Sequence, residues 1–267
     1  MKYLIIGDVH ADFIPFKRSI DFARQNDLHL VSVGDIVDGG TDGAICVNEM
    51  LKLLEEGKGS VVKGNHEHKI IRKLNGANVI LGPPNMITLE QMETDKLFEY
   101  EFRVMVENYC QDYIKLNDTL YVTHGGMHQD FWEAEKTGNI TRRMYDDMMF
   151  GQADYKKTFH HKGQDYPYRT YNWKDSVPNG VTLIVGHDPA PLTGEPNFDI
   201  FQPEPTVHTN DMGGTVVWTD CGAGKGGKLF GLVVNSSTNE IEDTIDFSNE
   251  WIHNSFNYCY VPHIHLF

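Results

Sequence analysis

The sequence predicts an α/β fold, and three observations carry that expectation. Tyr3-Leu4-Ile5-Ile6, Leu30-Val31-Ser32-Val33 and Ser60-Val61-Val62 are short apolar runs, each followed by a glycine that turns the chain sharply, so they read as buried strands. Between them, Phe13 to Gln25 and Gly43 to Glu56 space apolar residues at helical intervals: Phe13, Phe16, Ile20 and Ala23, then Ile45, Met50, Leu51 and Leu54. Strand, helix and strand at this spacing form successive βαβ units, which set the first three strands parallel. Downstream, Thr119-Leu120-Tyr121-Val122 and Val181-Thr182-Leu183-Ile184-Val185 read as strands ending in the same way.

After Glu67 the pattern changes. Gly82-Pro83-Pro84 breaks the chain, and Thr88 followed three residues later by Gln91 offers a capping box for a long helix toward Cys110. Phe98, Tyr100, Phe102 and Tyr109 within that helix read as core rather than as a stacking platform. Ile114-Lys115-Leu116, Asn117-Asp118 and Leu120-Tyr121-Val122 read as a hairpin with His124 at its exit. From about 131 to 173 the chain is polar, rich in methionine and tyrosine, and weakly periodic. It reads as a cap over the site, the kind of insertion in which substrate choice is encoded. Pro189 to Met212, with five prolines, reads as a surface loop. The glycine-rich run Gly222 to Lys228 lacks phosphate-loop spacing and reads as a hairpin turn. Beyond Ile241 the tail is aromatic, with Trp251, Phe256, Tyr258, Tyr260 and Phe267, and docking on the core or on a partner both stay open. One domain, residues 1–267, is enough to hold the core of a chain with 40% hydrophobic content.

The chemistry sits at the strand ends. Gly7-Asp8-Val9-His10, Gly34-Asp35-Ile36-Val37-Asp38-Gly39-Gly40, Gly64-Asn65-His66-Glu67, Thr123-His124-Gly125-Gly126 and Gly186-His187-Asp188 each place an oxygen or imidazole group after an apolar run. Carboxyl ends of strands in open α/β sheets are where sites assemble, so groups far apart in sequence can converge there. Holding two divalent ions about 3.5–4 Å apart needs a carboxylate able to bridge them, with neutral nitrogen and amide-oxygen ligands that leave positive charge for an anion. With Asp8 and Asp35 ionised, two divalent cations and a bridging hydroxide leave about one positive charge to meet a phosphate. Oxygen and nitrogen donors without a thiolate suit two divalent metal ions, Mn2+ first, with Fe or Zn as alternatives. A lone Gly-Asp after a strand is ordinarily a turn, and a lone buried histidine is ordinarily a core group. Five such segments in order outweigh that plain reading. His160-His161 and the other histidines lack this context and read as solvent-facing or structural.

This ordered set resembles the calcineurin-like metallophosphoesterases, in the branch that holds serine/threonine protein phosphatases, bacteriophage protein phosphatases and diadenosine tetraphosphate hydrolases, over Met1 to Val234. The resemblance implies a β-sandwich of two mixed sheets flanked by helices, with a dinuclear site at the strand ends. It implies that Asp8, His10 and Asp35 hold the first metal and that Asp35, Asn65, His124 and His187 hold the second. Asn65 would also meet the substrate, His66 would protonate the leaving oxygen, and Asp38 would orient the His66 ring. Tyr168-Arg169-Thr170-Tyr171-Asn172-Trp173, Thr219-Asp220-Cys221-Gly222 and Gly226 to Leu232 look especially like the phosphatase module of bacterial polynucleotide kinase-phosphatase.

The reaction so implied is phosphoester hydrolysis by a metal-bound hydroxide, and a phosphomonoesterase of the serine/threonine protein phosphatase type leads the expectations. A nucleotide or nucleic-acid-end phosphatase, including 2′,3′-cyclic phosphodiesterase action, and a dinucleoside tetraphosphate hydrolase are the alternatives. An idle metal-binding interaction module is a further one, against which the complete ligand set and His66 stand. The expected partner is thus a phosphorylated substrate, phosphoprotein or nucleotide. Two departures from the branch stand out. Gly39 lies where it carries an arginine that clamps phosphate through two parallel hydrogen bonds, and Asp188 lies where it commonly has threonine. Arg169 is the first choice to replace the clamp, with Arg142, Arg143 or Lys63 behind it.

A net charge of −15 argues against extended nucleic-acid binding, which needs clustered cations along the phosphate track. No stretch approaches the ~20 apolar residues of a membrane span, and the four-residue run before Gly7 is too short for a secretory core. Cys46, Cys110, Cys221 and Cys259 are widely spaced, so reduced thiols and a cytoplasmic location are expected.

Overall fold

A computed structural model of the chain describes residues 1–161, 164–192 and 201–249. The first third of the chain follows the βαβ expectation closely: β1 (Lys2–Ile6), α1 (Phe13–Gln25), β2 (His29–Ser32), α2 (Gly43–Glu55) and β3 (Gly59–Val62), with β1 parallel to β2 and β2 parallel to β3. Next come α3 (Asn65–Leu74), α4 (Pro83–Thr94), α5 (Lys96–Asn108), β4 (Cys110–Gln111) and the antiparallel pair β5 (Tyr113–Asn117) and β6 (Leu120–Thr123). Two short helices follow, α6 (Phe131–Thr137) and α7 (Arg142–Phe150), then a two-stranded ribbon of β7 (Gln152–His161) and β8 (Gln164–Thr170) and a 3-10 turn at Asn172–Ser176. The rest is strand: β9 (Thr182–Val185), β10 (Thr206–Thr209), β11 (Thr215–Trp218), β12 (Asp220–Cys221), β13 (Lys228–Asn235) and β14 (Glu240–Asp246).

Among the described residues the larger sheet runs β12-β13-β1-β2-β3-β4, with β14 on the other side of β13, and the smaller runs β10-β11-β9-β6-β5. Both are mixed: β1 is antiparallel to β13 and parallel to β2, and β9 is parallel to β6 and β11 while β10 runs against β11. The period of two along each strand splits the core into layers. Leu4 and Ile6 face α1 and α2, whereas Ile5 faces the second sheet together with Val31, Val62, Val122, Ile184 and Val217. On that second sheet Tyr121, Leu183, Val185, Val216 and Trp218 point the other way, onto Phe131, Met144, Met148 and Trp173. The result is helices, sheet, sheet, helices, the sandwich that the resemblance implied. Each fully buried branched side chain in the middle layer contributes roughly 1.5–3 kcal/mol of transfer free energy, and the registry of both sheets depends on that layer.

Several local expectations need correction. Gly82-Pro83-Pro84 starts a helix instead of breaking the chain, because proline at the first helical position gives up an N–H that has no helical partner anyway. Thr88 therefore lies in the second turn of α4 and caps nothing, and the start is held by the Asn85 Oδ1 accepting from Gly82 N at 3.0 Å. The long helix toward Cys110 is two helices, because Asp95 leaves helical geometry and its carboxylate accepts from Leu97 N and Phe98 N to begin α5. Of the aromatics there, Phe98 and Phe102 are buried and Tyr109 packs on the core, while Tyr100 is exposed. The proline-rich stretch ends in a strand, since Thr206–Thr209 pairs with β11. Of residues 131–173, α6, α7 and Trp173 build the outer core layer, and the β7–β8 ribbon forms a separate small sheet. The aromatic residues from Trp251 onward, and Cys259, lie outside the described residues. The other three cysteines are free, and no described helix is long and apolar enough to cross a membrane.

Candidate metal centre

Asp8 follows β1, Asp35 follows β2, Asn65 opens α3 after β3, His124 follows β6 and His187 follows β9, so both sheets deliver groups to one end of the sandwich. The backbone there is unusual. His10, Asp35, Asp38 and His187 have φ of 48°, 51°, 68° and 69°, a region that costs non-glycine residues on the order of 1–3 kcal/mol each unless the surroundings hold it. What holds it at Asp35 is Glu67, which is fully buried. Its Oε2 accepts from Asp35 N and Gly64 N at 2.9 and 3.1 Å, and its Oε1 accepts from Ile36 N and Val37 N at 2.8 and 3.2 Å. Burial, then the neighbouring Asp35 carboxylate, pushes the Glu67 carboxyl up to about 7.

Asp35 is the centre of the arrangement. Its Oδ2 lies 3.4 Å from His124 Nε2, 3.7 Å from His10 Nε2 and 3.8 Å from His66 Nε2, and its Oδ1 accepts from His66 N at 3.0 Å. Two triads of donor atoms therefore share it: Asp35 with His10 and His66, and Asp35 with His124 and His187. Asp8 completes the near side, with its Oδ2 3.7 Å from His10 Nε2 and both oxygens accepting from His187 N at 3.1 Å. Asn65 Oδ1 lies 3.0 Å from His124 Nε2.

The imidazoles are oriented by backbone carbonyls. His10 Nδ1 faces the Asp38 carbonyl at 3.1 Å and His124 Nδ1 faces the Val33 carbonyl at 2.9 Å, so in both rings the other nitrogen, Nε2, is turned to the centre. Burial lowers the basicity of His10, and the nearby Lys225 lowers it further; burial and then Arg169 do the same to His187. Burial also opposes charge on His124, but Asp35 outweighs it and raises that ring to about 9. Burial works against ionisation of Asp35 too, and the imidazoles of His124, His66 and His10 overcome it and hold the carboxyl well below its usual range. Asp8 is raised by burial and by the Asp220 carboxylate.

These observations test whether divalent cations fit. His187 Nε2 and Asp220 Oδ2 are buried with no hydrogen-bond partner among the described residues, and His187 Nδ1 points at His124 Nε2 over 3.2 Å. Buried carboxylates pressed together and imidazole nitrogens pointing at one another are costly without a cation and favourable around one. The donor set is oxygen and imidazole with no thiolate, so it fits hard or borderline divalent metals.

His66 sits differently from the other imidazoles. Its Nδ1 is 2.6 Å from Asp38 Oδ2, and its side chain keeps 18% exposure where those of His10 and His124 are buried. Asp38 in turn accepts from Asn85 Nδ2 and Thr88 Oγ1, both buried side chains of α4. Sequence reasoning missed these two residues because their effect arises only when α4 packs across the β2 loop. Glu67 was visible as the last residue of Gly-Asn-His-Glu, but nothing local marks it as the acceptor of four backbone N–H groups.

Arg169 on β8 lines a shallow recess with Gly125, Gly151, Tyr171, Asp188 and Trp218. Its Nη1 donates to the Phe150 carbonyl at 2.9 Å, and its Nε is 3.9 Å from Asp188 Oδ2. Asp188 also accepts from the Tyr171 hydroxyl and from Ala190 N, so the residue that departs from the branch pattern ties β8 to the His187 loop. Of the other candidate clamps, Arg142 pairs with Asp146 on an exposed helix face, and Lys63 lies 3.8 Å from Asp112.

A family model described as Calcineurin-like phosphoesterase matches residues 1–209. Among curated relatives, the asymmetrical bis(5'-nucleosyl)-tetraphosphatase PrpE of Bacillus cereus is 26% identical over 248 residues, covering 87% of this chain and 90% of its own. Serine/threonine-protein phosphatase 1 of Salmonella typhimurium is 42% identical over 66 residues, 24% of this chain and 28% of its own. Two solved structures share the fold. A protein serine/threonine phosphatase from Saccharomyces cerevisiae with similarity to human phosphatase PP5 has a TM-score of 0.52 at 16% identity, covering 92% of this chain and 78% of its own. A protein from Pyrococcus horikoshii OT3 has a TM-score of 0.53 at 11% identity, covering 92% of this chain and 87% of its own.

Glu67→Gln tests the backbone clamp. One carboxylate oxygen becomes an NH2 group that faces two N–H donors, leaving them unsatisfied at about 1–3 kcal/mol each. Urea denaturation should show a loss of at least about 2 kcal/mol with an unchanged slope, and parental stability would refute the role given to Glu67.

Proposed function

The chain belongs to the calcineurin-like phosphoesterase family and is a metal-dependent phosphoester hydrolase, and from that premise we propose a dinuclear site in which Asp35 is shared. In this reading Asp8, His10 and Asp35 hold one divalent ion, and Asp35, Asn65, His124 and His187 hold the other. The supporting observation is the position of Asp35 Oδ2 among the Nε2 atoms of His10, His66 and His124. When bound, the metal pair supplies positive charge to the phosphoryl oxygens and acidifies the attacking water. Manganese is proposed first for the mixed oxygen and imidazole set, with iron or zinc as alternatives.

His66 directs Nε2 toward the site while Asp38 accepts from Nδ1. That arrangement suits proton donation from Nε2 to a leaving oxygen, with the Asp38 carboxylate stabilising the charged ring that precedes transfer. Asn85 and Thr88 hold Asp38 in place through its two oxygens. Asn65 and Arg169 are proposed to meet the substrate, and residues of about 131–173, which carry Arg169, to select it within a single domain.

The substrate we favour is a nucleoside polyphosphate, in the manner of the PrpE relatives, whose likeness spans most of both chains. A phosphomonoester is the second reading, favoured by the higher identity of the 66-residue match to a protein phosphatase. Both would be met in the cytoplasm. Purified protein loaded with manganese should cleave diadenosine tetraphosphate faster than a phosphopeptide, a 3′-phosphorylated oligonucleotide or a 2′,3′-cyclic nucleotide, and a chelator should abolish the rate. A faster rate on the phosphopeptide would transfer the assignment to the second reading, and activity that survives chelation would remove the metal-dependent one.

His66→Asn should keep both metals, measured by elemental analysis, and lose roughly 10²–10⁴-fold in kcat on substrates with poor leaving groups. The loss should shrink on nitrophenyl phosphate, whose leaving group hardly needs a proton. Equal losses on alkyl and nitrophenyl esters would exclude His66 as the acid. For Arg169→Ala we expect unchanged metal content and a decrease in kcat/KM equivalent to about 1.5–3 kcal/mol, the size of a charged hydrogen bond to phosphate. Parental kinetics would leave Arg169 as a strut between Phe150 and Asp188.

A further inference from the structure

Position 39 raises a question that the ligand set does not answer: what holds phosphate on the His10 side of the site. Gly39 has φ of 101°, and a Cβ there would lie 3.1 Å from His10 Cβ, 3.2 Å from the His10 carbonyl oxygen and 3.4 Å from the Gly224 carbonyl oxygen. Across the same gap Gly224, φ 68°, packs so closely that a Cβ would run into the His10 carbonyl oxygen. Two glycines thus pack against His10. A Cβ at position 39 would be crowded by His10 and would touch Gly224 of the β12–β13 turn, which Gly224 N fastens by donating to Asp12 Oδ2 at 3.3 Å.

The next residue in that turn is Lys225. Its Nζ lies 2.7 Å from His10 Nε2, although the residue as a whole is exposed. His10 Nδ1 is taken by the Asp38 carbonyl, so Nε2 carries the lone pair, and a metal ion on that lone pair and the Lys225 ammonium exclude each other. With the first metal bound, the ammonium must turn to another acceptor within reach of the same point.

Charge says which acceptor. Asp8, Asp35 and Asp220 bring three negative charges to the site, two divalent metals bring four positive ones and Lys225 a fifth. With a bridging hydroxide, about one positive charge is left over, which an anionic phosphoryl group neutralises. A cation beside two divalent ions is otherwise repelled, so an anion that touches all three is the favourable occupant.

We propose that Lys225 binds the substrate phosphate from the His10 side, taking the place of the side chain that Gly39 lacks. This rests on the dinuclear reading of the site. Its consequence for substrate choice is that phosphate is contacted on this side by a point charge on a flexible stem from a turn, not by a planar fork. A lysine tolerates a wider range of phosphate orientations, as in the interior phosphates of a polyphosphate chain, than a bidentate arginine does.

The test uses the full-length, manganese-loaded protein with inorganic phosphate as the probe. Metal content is measured by elemental analysis, phosphate affinity by calorimetry and fold integrity by thermal melting, for the parent, Lys225→Met and Lys225→Arg. We expect Lys225→Met to keep parental metal content and melting while its phosphate affinity falls about 10-fold to 100-fold, the loss of one charge-assisted hydrogen bond. Lys225→Arg should recover most of that affinity, and KM for the cleaved substrate should rise in Lys225→Met by a similar factor. Parental phosphate affinity in Lys225→Met overturns the proposal while leaving the dinuclear reading intact. Equal losses in the two variants would assign the effect to packing of the turn and overturn it as well. A parent that neither retains metal nor binds phosphate would overturn the dinuclear reading itself, and the proposal with it.

Discussion

A single buried carboxylate carries much of this architecture. Glu67 collects the N–H groups of Asp35, Ile36, Val37 and Gly64, joining the loop after β2 to the first turn of α3. Those four donors lie where two strands have ended and no sheet partner is available, and buried backbone donors of this kind must find an acceptor. One side chain serves all four because a carboxylate offers two oxygens with about four lone-pair sites. The position of Asp35 between three imidazoles is therefore set from behind, by backbone hydrogen bonds.

The same division of labour recurs around the site. His10 and His124 are aimed by carbonyls of Asp38 and Val33, and His66 by the Asp38 side chain, which Asn85 and Thr88 fix from α4. Backbone strain is concentrated at the residues so aimed. Left-handed geometry at His10, Asp35, Asp38 and His187 is sustained by contacts one layer out, so the second layer determines the geometry of the first.

What could be read from the chain follows from how local each signal is. Gly-Asp-Val-His, Gly-Asp-Ile-Val-Asp and Gly-Asn-His-Glu state strand, turn and functional group within a few residues, and the βαβ helices carry their own apolar stripes, so β1 to β3, α1 and α2 and the donor groups were legible. Thr88 was not, because a threonine followed by a glutamine at three residues is a cap only if a helix starts there, and Pro83 had already started it. The strand at Thr206–Thr209 was hidden behind prolines, since an edge strand needs only one paired side, which β11 supplies. Lys225 was legible only as part of a turn. Its meaning depends on Gly39 and Gly224 meeting across His10, a juxtaposition of residues 185 positions apart that no local pattern encodes.

The donor groups are split between the two sheets, and the split has a temporal consequence. Asp8, His10, Asp35 and Asn65 belong to the first sheet and are synthesised before His124 and His187, which come with the second sheet. Until β9 has been made and seated between β6 and β11, the group of Asp35, His124 and His187 is incomplete. Completion of that group waits on Ile184 inserting between the sheets with His187 behind it, which couples assembly of the site to long-range docking of the two sheets.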